Sequence, residues 1–148
     1  MRDEIRVPIR DDADLVPARA EARALAVDLG FSRTDATLIA TAISEIARNI
    51  VVHVGSGELR MRGLEETGRC GLLVLAHDEG AGIEDVEAAL EEGFATGGGL
   101  GLGLPGARRL MDEFEVSSEP QRGTTVRMVK WRARDELERL RARRNRSA

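Results

Sequence analysis

Three groups of residues in this chain have types and spacings that could do chemistry. Glu45 and Asn49 stand four apart, Asp78 is followed by Gly80 and Gly82, and the run from Gly97 to Gly106 is dense in glycine. Residues four apart on a helix share one side, so Glu45 and Asn49 would form a single patch. At about 100° per residue, that patch falls on the shoulder of the stripe made by Ile39, Ile43, Ile46 and Ile50, in line with Leu38 and Ala42. A carboxylate and an amide half-facing a core need partners, because burying them unpaired costs roughly several kcal/mol. Those partners are either a neighbouring loop or a metal ion, ligand or water.

The string Asp78-Glu79-Gly80-Ala81-Gly82 follows an apolar segment. Alternate glycines let the backbone turn sharply and approach a flat ligand, and an aspartate at a strand end can accept from an exocyclic amine. Taken alone, the string is also a common turn. In the glycine run, Gly97-Gly98-Gly99-Leu100-Gly101-Leu102-Gly103-Leu104-Pro105-Gly106, backbone N–H groups are left to converge on an anion. A helix beginning near Pro105 would add its positive end there. No Gly-Lys-Ser/Thr follows, so the run is not a P-loop, and a βαβ dinucleotide context is missing around its G-x-G-x-x-G string. A flexible linker is the alternative, although leucines at every second position are unusual for one. His77 reads as a satisfied packing residue, and the single cysteine, Cys70, as a small buried one.

These groups need elements to hold them. Ile5, Val7 and Ile9 alternate with polar residues as a strand that Pro8 confines to an edge. A helix is expected from Asp14 to Leu29, with Asp14 as N-cap, Pro17 in the first turn and Gly30 as the stop. A second should run from Ser32 to about Val51, carrying the isoleucines at spacings of four, three and four. Leu59 and Met61 sit in a strand after a GSG turn, and GLLVLA is apolar throughout, as in a central strand covered on both faces. IEDVEAALEEG and ARRLMDEF read as helices. Strands near Phe114–Ser118 and Thr124–Trp131 are joined by a turn containing Pro120 and Gly123. The sum is an α+β two-layer sandwich, with helices on one face of a mixed, mainly antiparallel sheet.

At 148 residues the chain suits one domain, taken as 1–131 and followed by an arginine-rich tail, 132–148. That tail reads as a solvated helix or as a docking segment for an acidic partner. With 42% hydrophobic and 32% charged residues the composition is globular, and 3% aromatics leave the core to aliphatic side chains. No membrane span or signal-peptide centre is found, so the expected address is the cytoplasm. A net charge of −4 argues against nucleic acid as a partner. A lone cysteine forms no internal disulfide, and no Cys/His cluster has zinc spacing.

The order of the motifs is more specific than any one of them. Glu-x-x-x-Asn, Asp-x-Gly-x-Gly, a Gly-x-Gly-x-Gly loop entering a helix, and Gly-Thr-Thr before the last strand follow one another between about residues 32 and 131. In this the chain resembles the gyrase, Hsp90, histidine-kinase and MutL ATPase superfamily, whose nucleotide site is built on a Bergerat-type fold. SEIARNIVVHVGSGEL and GLGLGLPGARRLMDEFEV are most similar to the small bacterial serine/threonine kinases of the RsbT type, the switch kinases of the stressosome.

The resemblance implies ATP and Mg²⁺, with a role for each matching residue. Glu45 would be the general base and Asn49 the Mg²⁺ ligand. Asp78 would bind the adenine amine with help from Gly80 and Gly82, Gly99, Gly101 and Gly103 would form a lid over the phosphates, and Thr124 would complete the adenine pocket. It further implies a STAS-domain protein as substrate and a PP2C-type phosphatase as a second partner. Near relatives are anti-sigma-factor kinases that hold a sigma factor, and a binding module that uses nucleotide only to set its shape is the non-enzymatic alternative. A sensor histidine kinase is not expected, since no dimerising phosphoacceptor helix precedes the ATP site. The tail reaches past the compact members of this family. The short, glycine-rich lid predicts weak ordering without ligand.

Overall fold

Pro8 cannot donate to a β-ladder, and the strand containing it, β1 (Ile5–Ile9), lies at the edge of the sheet. The structure, a computed structural model, describes residues 4–80 and 103–132. After β1 a 3-10 turn, Asp12–Asp14, leads into α1 (Leu15–Asp28), and α2 follows at Arg33–His53. The hairpin β2 (Gly57–Glu66) and β3 (Arg69–Asp78) comes next, then α3 (Gly103–Leu110), β4 (Glu113–Glu119) and β5 (Gly123–Trp131). The helix expected over IEDVEAALEEG and residues 133–148 of the tail lie outside the described residues.

Local chemistry accounts for the boundaries. Ser32 caps α2 by accepting from the Asp35 amide at 3.1 Å. At the other end of α2 the amides of Val54 and Gly55 both reach the Ile50 carbonyl, with Gly55 at φ 107°. Gly30, at φ 90°, stops α1 as expected. Asp14 departs from expectation. It occupies the N-cap position of α1, but its carboxylate accepts from the amides of Arg10 and Asp11 at 2.7 and 3.4 Å. Asp11 caps the preceding 3-10 turn, and Asp14 closes that turn's capping box instead of capping α1. The helix expected over ARRLMDEF is also displaced. It starts earlier, at Gly103, and ends at Leu110, because Asp112 is drawn to β5 and Phe114 pairs with Met128 in the sheet.

The strand order is β1-β2-β3-β5-β4, and the pairings among the described residues are all antiparallel. β3 is therefore central, as its apolar run requires. Val7, Ile9, Leu59, Met61, Leu72, Val74, Ala76, Val126 and Met128 face the helices and form one core with the isoleucine stripe of α2. Alanines 18, 22 and 26 let α1 lie close to that layer. On the opposite face Leu73 and Val129, which pair with each other, are 5% and 0% exposed and stand apart from the helix-side core. Burial on both faces at Leu72–Val74 explains why β3 shows no alternation there, while on the outer face Leu75 is half-buried and His77 exposed.

The far end of β5 holds α3 in place. Lys130 donates to the Leu110 carbonyl at 3.2 Å, satisfying an orphan acceptor at the helix end, and pairs with Asp112 at 3.8 Å. The Trp131 amide donates to Asp112 Oδ2 at 2.6 Å. On the other face Trp131 Nε1 donates to Glu113 Oε2 at 2.7 Å, and Arg127 pairs with Glu113 Oε1 at 3.2 Å. The Arg69 guanidinium stacks 3.7 Å from the centre of the Trp131 ring. The Trp131 donor, followed by Arg127, holds the Glu113 carboxyl below its ordinary range.

Candidate functional site

Register decides which side chains meet at the end of the sheet where β3 finishes and β5 begins. Asp78 pairs with Thr124, and Thr124 pairs with Ser118 of β4. All three lie on the helix-facing side, continuing the alternation of Ala76 and Val126, so a polar row Asp78–Thr124–Ser118 crosses three strands. Asp78 and Thr124, 8% and 6% exposed, are the only buried polar side chains among the described residues. Elsewhere in that set burial is apolar. A buried polar pair is costly unless bonded, and here each member has a partner. Asp78 Oδ1 accepts from the Gly80 amide at 2.9 Å, and Thr124 Oγ1 lies 2.9 Å from Ser118 Oγ.

The Gly80 bond fixes the orientation of the Asp78 carboxylate while using only one of its roughly four acceptor positions. The remaining capacity suits a donor such as an exocyclic amine. Two glycines make this arrangement possible. Gly123 lies against the backbone of Asp78 and Glu79, where no Cβ fits, and Gly80 comes so near Val54 that a Cβ would sit 2.8 Å from Val54 Cγ1. The carboxyl end of α2 therefore abuts the loop that follows Asp78.

Glu45 and Asn49 lie one turn apart on that same helix, upstream of Val54, and both are half-buried. Neither makes a hydrogen bond or an ion pair with a described residue. Their carboxylate and amide are thus available on the shoulder of the isoleucine stripe, beside buried Ala42 and half-buried Leu38. Gly103 is the first residue of α3, whose Leu104 and Ala107 are buried in the helix-side core. Gly82, Gly99 and Gly101 lie outside the described residues.

Two expectations need correction. His77 is exposed on the face away from the helices, where its Nδ1 lies 2.8 Å from Thr125 Oγ1. It is satisfied by a neighbour but not packed in the core, because its odd place in β3 turns it outward. Cys70 is half-buried near the β2–β3 turn, with Sγ 3.9 Å from Glu65 Oε1. Sequence reasoning also passed over Ser118. Its signal lies in register: a tight turn over Pro120-Gln121-Arg122 pairs Glu119 with Gly123 and so sets Ser118 against Thr124.

Among the described residues no group of three or more His, Cys, Asp or Glu side chains could hold a metal ion. No helix among them is long and apolar enough to cross a membrane.

A family model described as the histidine kinase-like ATPase domain matches residues 9–130. The serine/threonine-protein kinase RsbT of Bacillus subtilis is 44% identical over 131 residues, covering 88% of this chain and 98% of that protein. The anti-sigma F factor of Caldanaerobacter subterraneus is 35% identical over 124 residues, covering 80% of this chain and 85% of its own length. That of Thermoanaerobacter sp. strain X514 is 33% identical over 120 residues, with 77% and 82% covered.

Proposed function

Because the chain belongs to the histidine kinase-like ATPase family and is a serine/threonine-protein kinase, we propose that it uses ATP with Mg²⁺ to phosphorylate a STAS-domain partner. It does so in the cytoplasm, within a bacterial partner-switching stress pathway, and then binds and activates a PP2C-type phosphatase. One observation carries the reading of the site: the only buried polar side chains among the described residues are Asp78 and its ladder partner Thr124, at a strand end beneath the helix layer.

In this reading Asp78 accepts from the adenine amine, Gly80 and Gly82 let the backbone pass close to the base, and Thr124 completes the pocket. Gly99, Gly101 and Gly103 offer amides to the phosphates. The donors on α2 fit magnesium, which keeps several waters and takes phosphate oxygens, and so needs only one or two protein ligands. Asn49 would supply one through its amide oxygen, and the ion when bound neutralises phosphate charge. Glu45 takes the proton of the attacking serine or threonine hydroxyl as that oxygen bonds to the γ-phosphorus and ADP leaves. Phosphoryl transfer asks a protein mainly for position and charge, which this set provides.

Incubation with labelled ATP, Mg²⁺ and a STAS-domain protein is expected to label a serine or threonine of that protein. No transfer by the wild-type chain, or equal transfer by Glu45→Gln, would overturn the reading. The likeness to anti-sigma F factors favours a second reading, in which the chain also sequesters a sigma factor. A stable sigma complex on co-purification, with no STAS-domain label, would put it first.

A further inference from the structure

The sheet face turned away from the helices carries an apolar patch of its own. Strand register brings Leu64, Leu73, Leu75, Val129 and Trp131 together there, across β2, β3 and β5. Leu73 and Val129 are buried, and Leu64, Leu75 and Trp131 are half-buried. Trp131 lies flat on the sheet: a Cβ on Gly71 would meet its ring at 2.8 Å, while its Nε1 reaches Glu113 on β4. The described helices all pack on the other side. Two acids at the rim have lost their ladder partners. Glu66 stands opposite Arg69, which is stacked on Trp131, and Glu115 stands opposite Arg127, which pairs with Glu113. Neither acid makes a hydrogen bond or an ion pair with a described residue.

A segment able to cover this patch starts beside it. The ladder runs on to Arg132, whose amide donates to the Cys70 carbonyl at 2.8 Å, and residues 133–148 follow, beyond the family match that ends at residue 130. In that tail Ala133, Leu137 and Leu140 are spaced four and three, which puts them on one side of a helix, and six arginines outnumber three acids. As a helix its sixteen residues span about 24 Å. The strand distance from Trp131 back to Arg127, which is level with Leu75, is about 13 Å. The tail is thus long enough to turn and cross the patch. We propose that the C-terminal tail folds back onto the outer face of the sheet, seating Leu137 and Leu140 on the patch between Leu64 and Leu75 and bringing its arginines to Glu66 and Glu115. Leucine burial supplies most of the attraction, since exposed ion pairs contribute little. The contact does not depend on what the nucleotide site binds.

Trp131 is the only tryptophan and the chain has no tyrosine, so its fluorescence reports on the patch. Three full-length chains are compared: wild type, Leu137→Asp combined with Leu140→Asp, and Ala142→Asp, which adds charge on the opposite side of the same helix. The double leucine variant is expected to shift Trp131 emission to the red and to be quenched more strongly by acrylamide, with the cooperative melt of the domain kept. Ala142→Asp should match wild type, and wild-type emission should not change on dilution. A leucine variant indistinguishable from wild type would overturn the proposal, as would an equal rise in quenching for Ala142→Asp. Wild-type emission that moves to the red on dilution would give this face to a second copy of the chain and overturn it as well.

Discussion

Gly123 lies against the backbone of Asp78: it adopts φ 100°, and a Cβ there would collide with the Asp78 carbonyl and come within 2.8 Å of Glu79 Cα. The residue that ends the β4–β5 turn thus also shapes the end of β3. Gly123→Ala should destabilise the fold by at least about 1–3 kcal/mol from backbone strain alone, lowering Tm by several degrees, and should weaken ATP binding. Gly55→Ala is the control. Gly55 has φ 107° but nothing within 4 Å of a Cβ, so the strain is incurred and the pocket is untouched. Thermal melts and ATP titrations of the two variants should separate; equal loss of ATP affinity would contradict the role given to Gly123.

Asp78→Asn keeps an oxygen for the Gly80 amide but loses the charge proposed to accept from the adenine amine. ATP affinity is expected to fall roughly 10- to 100-fold, the range for a hydrogen bond to a charged group, with Tm in the absence of nucleotide little changed. Glu45→Gln should do the reverse, holding ATP affinity within about twofold while transfer drops roughly 10²- to 10⁴-fold, as for loss of a general base. Titration calorimetry and a radiolabel assay measure the two effects independently.

Asn49→Ala should leave the melting temperature of the free protein nearly unchanged, since Asn49 bonds no described residue. The Mg²⁺ concentration that supports half-maximal transfer should rise several-fold. Chelation by EDTA should abolish transfer by the wild-type chain. A Mg²⁺ dependence identical in Asn49→Ala and wild type would remove this residue from the metal site.

The Glu113 carboxyl titrates below its ordinary value of 4.5, first because Trp131 Nε1 donates to it and then because of Arg127, with Arg69 adding a smaller pull. Its folded value lies under the unfolded one, so its stabilising contribution is complete above about pH 4.5 and disappears as pH falls through the lowered value. Glu113→Gln, which resembles the protonated side chain, should be less stable than wild type at pH 7. The difference should shrink below pH 4.5. Urea unfolding at pH 7 and pH 3.5 checks this, and a gap that widens in acid would show that the sign is wrong.

Local features of the fold were legible from residue types alone. Ser32 before an isoleucine stripe marked α2, Pro8 marked an edge strand, and the unbroken run in β3 marked a centre covered twice. What escaped depended on distant partners. Asp14 has the composition of a cap, but Asp11 claims the amides of the turn before it. Met111 and Asp112 continue a helical pattern, yet Asp112 is held by Val129 and Trp131 of a strand that follows later in the chain. In the site, Asp78, Gly80 and Thr124 were visible as motif residues. Ser118 was not, because its meaning exists only once Glu119 and Gly123 are paired. The outward turn of His77 is likewise a matter of parity in the strand, which an all-apolar run conceals.

The pairing of Asp78 with Thr124 has a consequence for how the protein matures. β5 enters the sheet between β3 and β4, and it is the last described strand in the chain. Contacts so distant in sequence form late, after much chain entropy has been surrendered. A nascent chain that has folded α1, α2 and the β2–β3 hairpin still has only one side of the pocket proposed for adenine. If the proposed pocket takes ATP, nucleotide would favour the docked strand over the undocked one by mass action, and ATP would be a folding ligand before it is a substrate. Competence to bind it would report that the sheet has been closed.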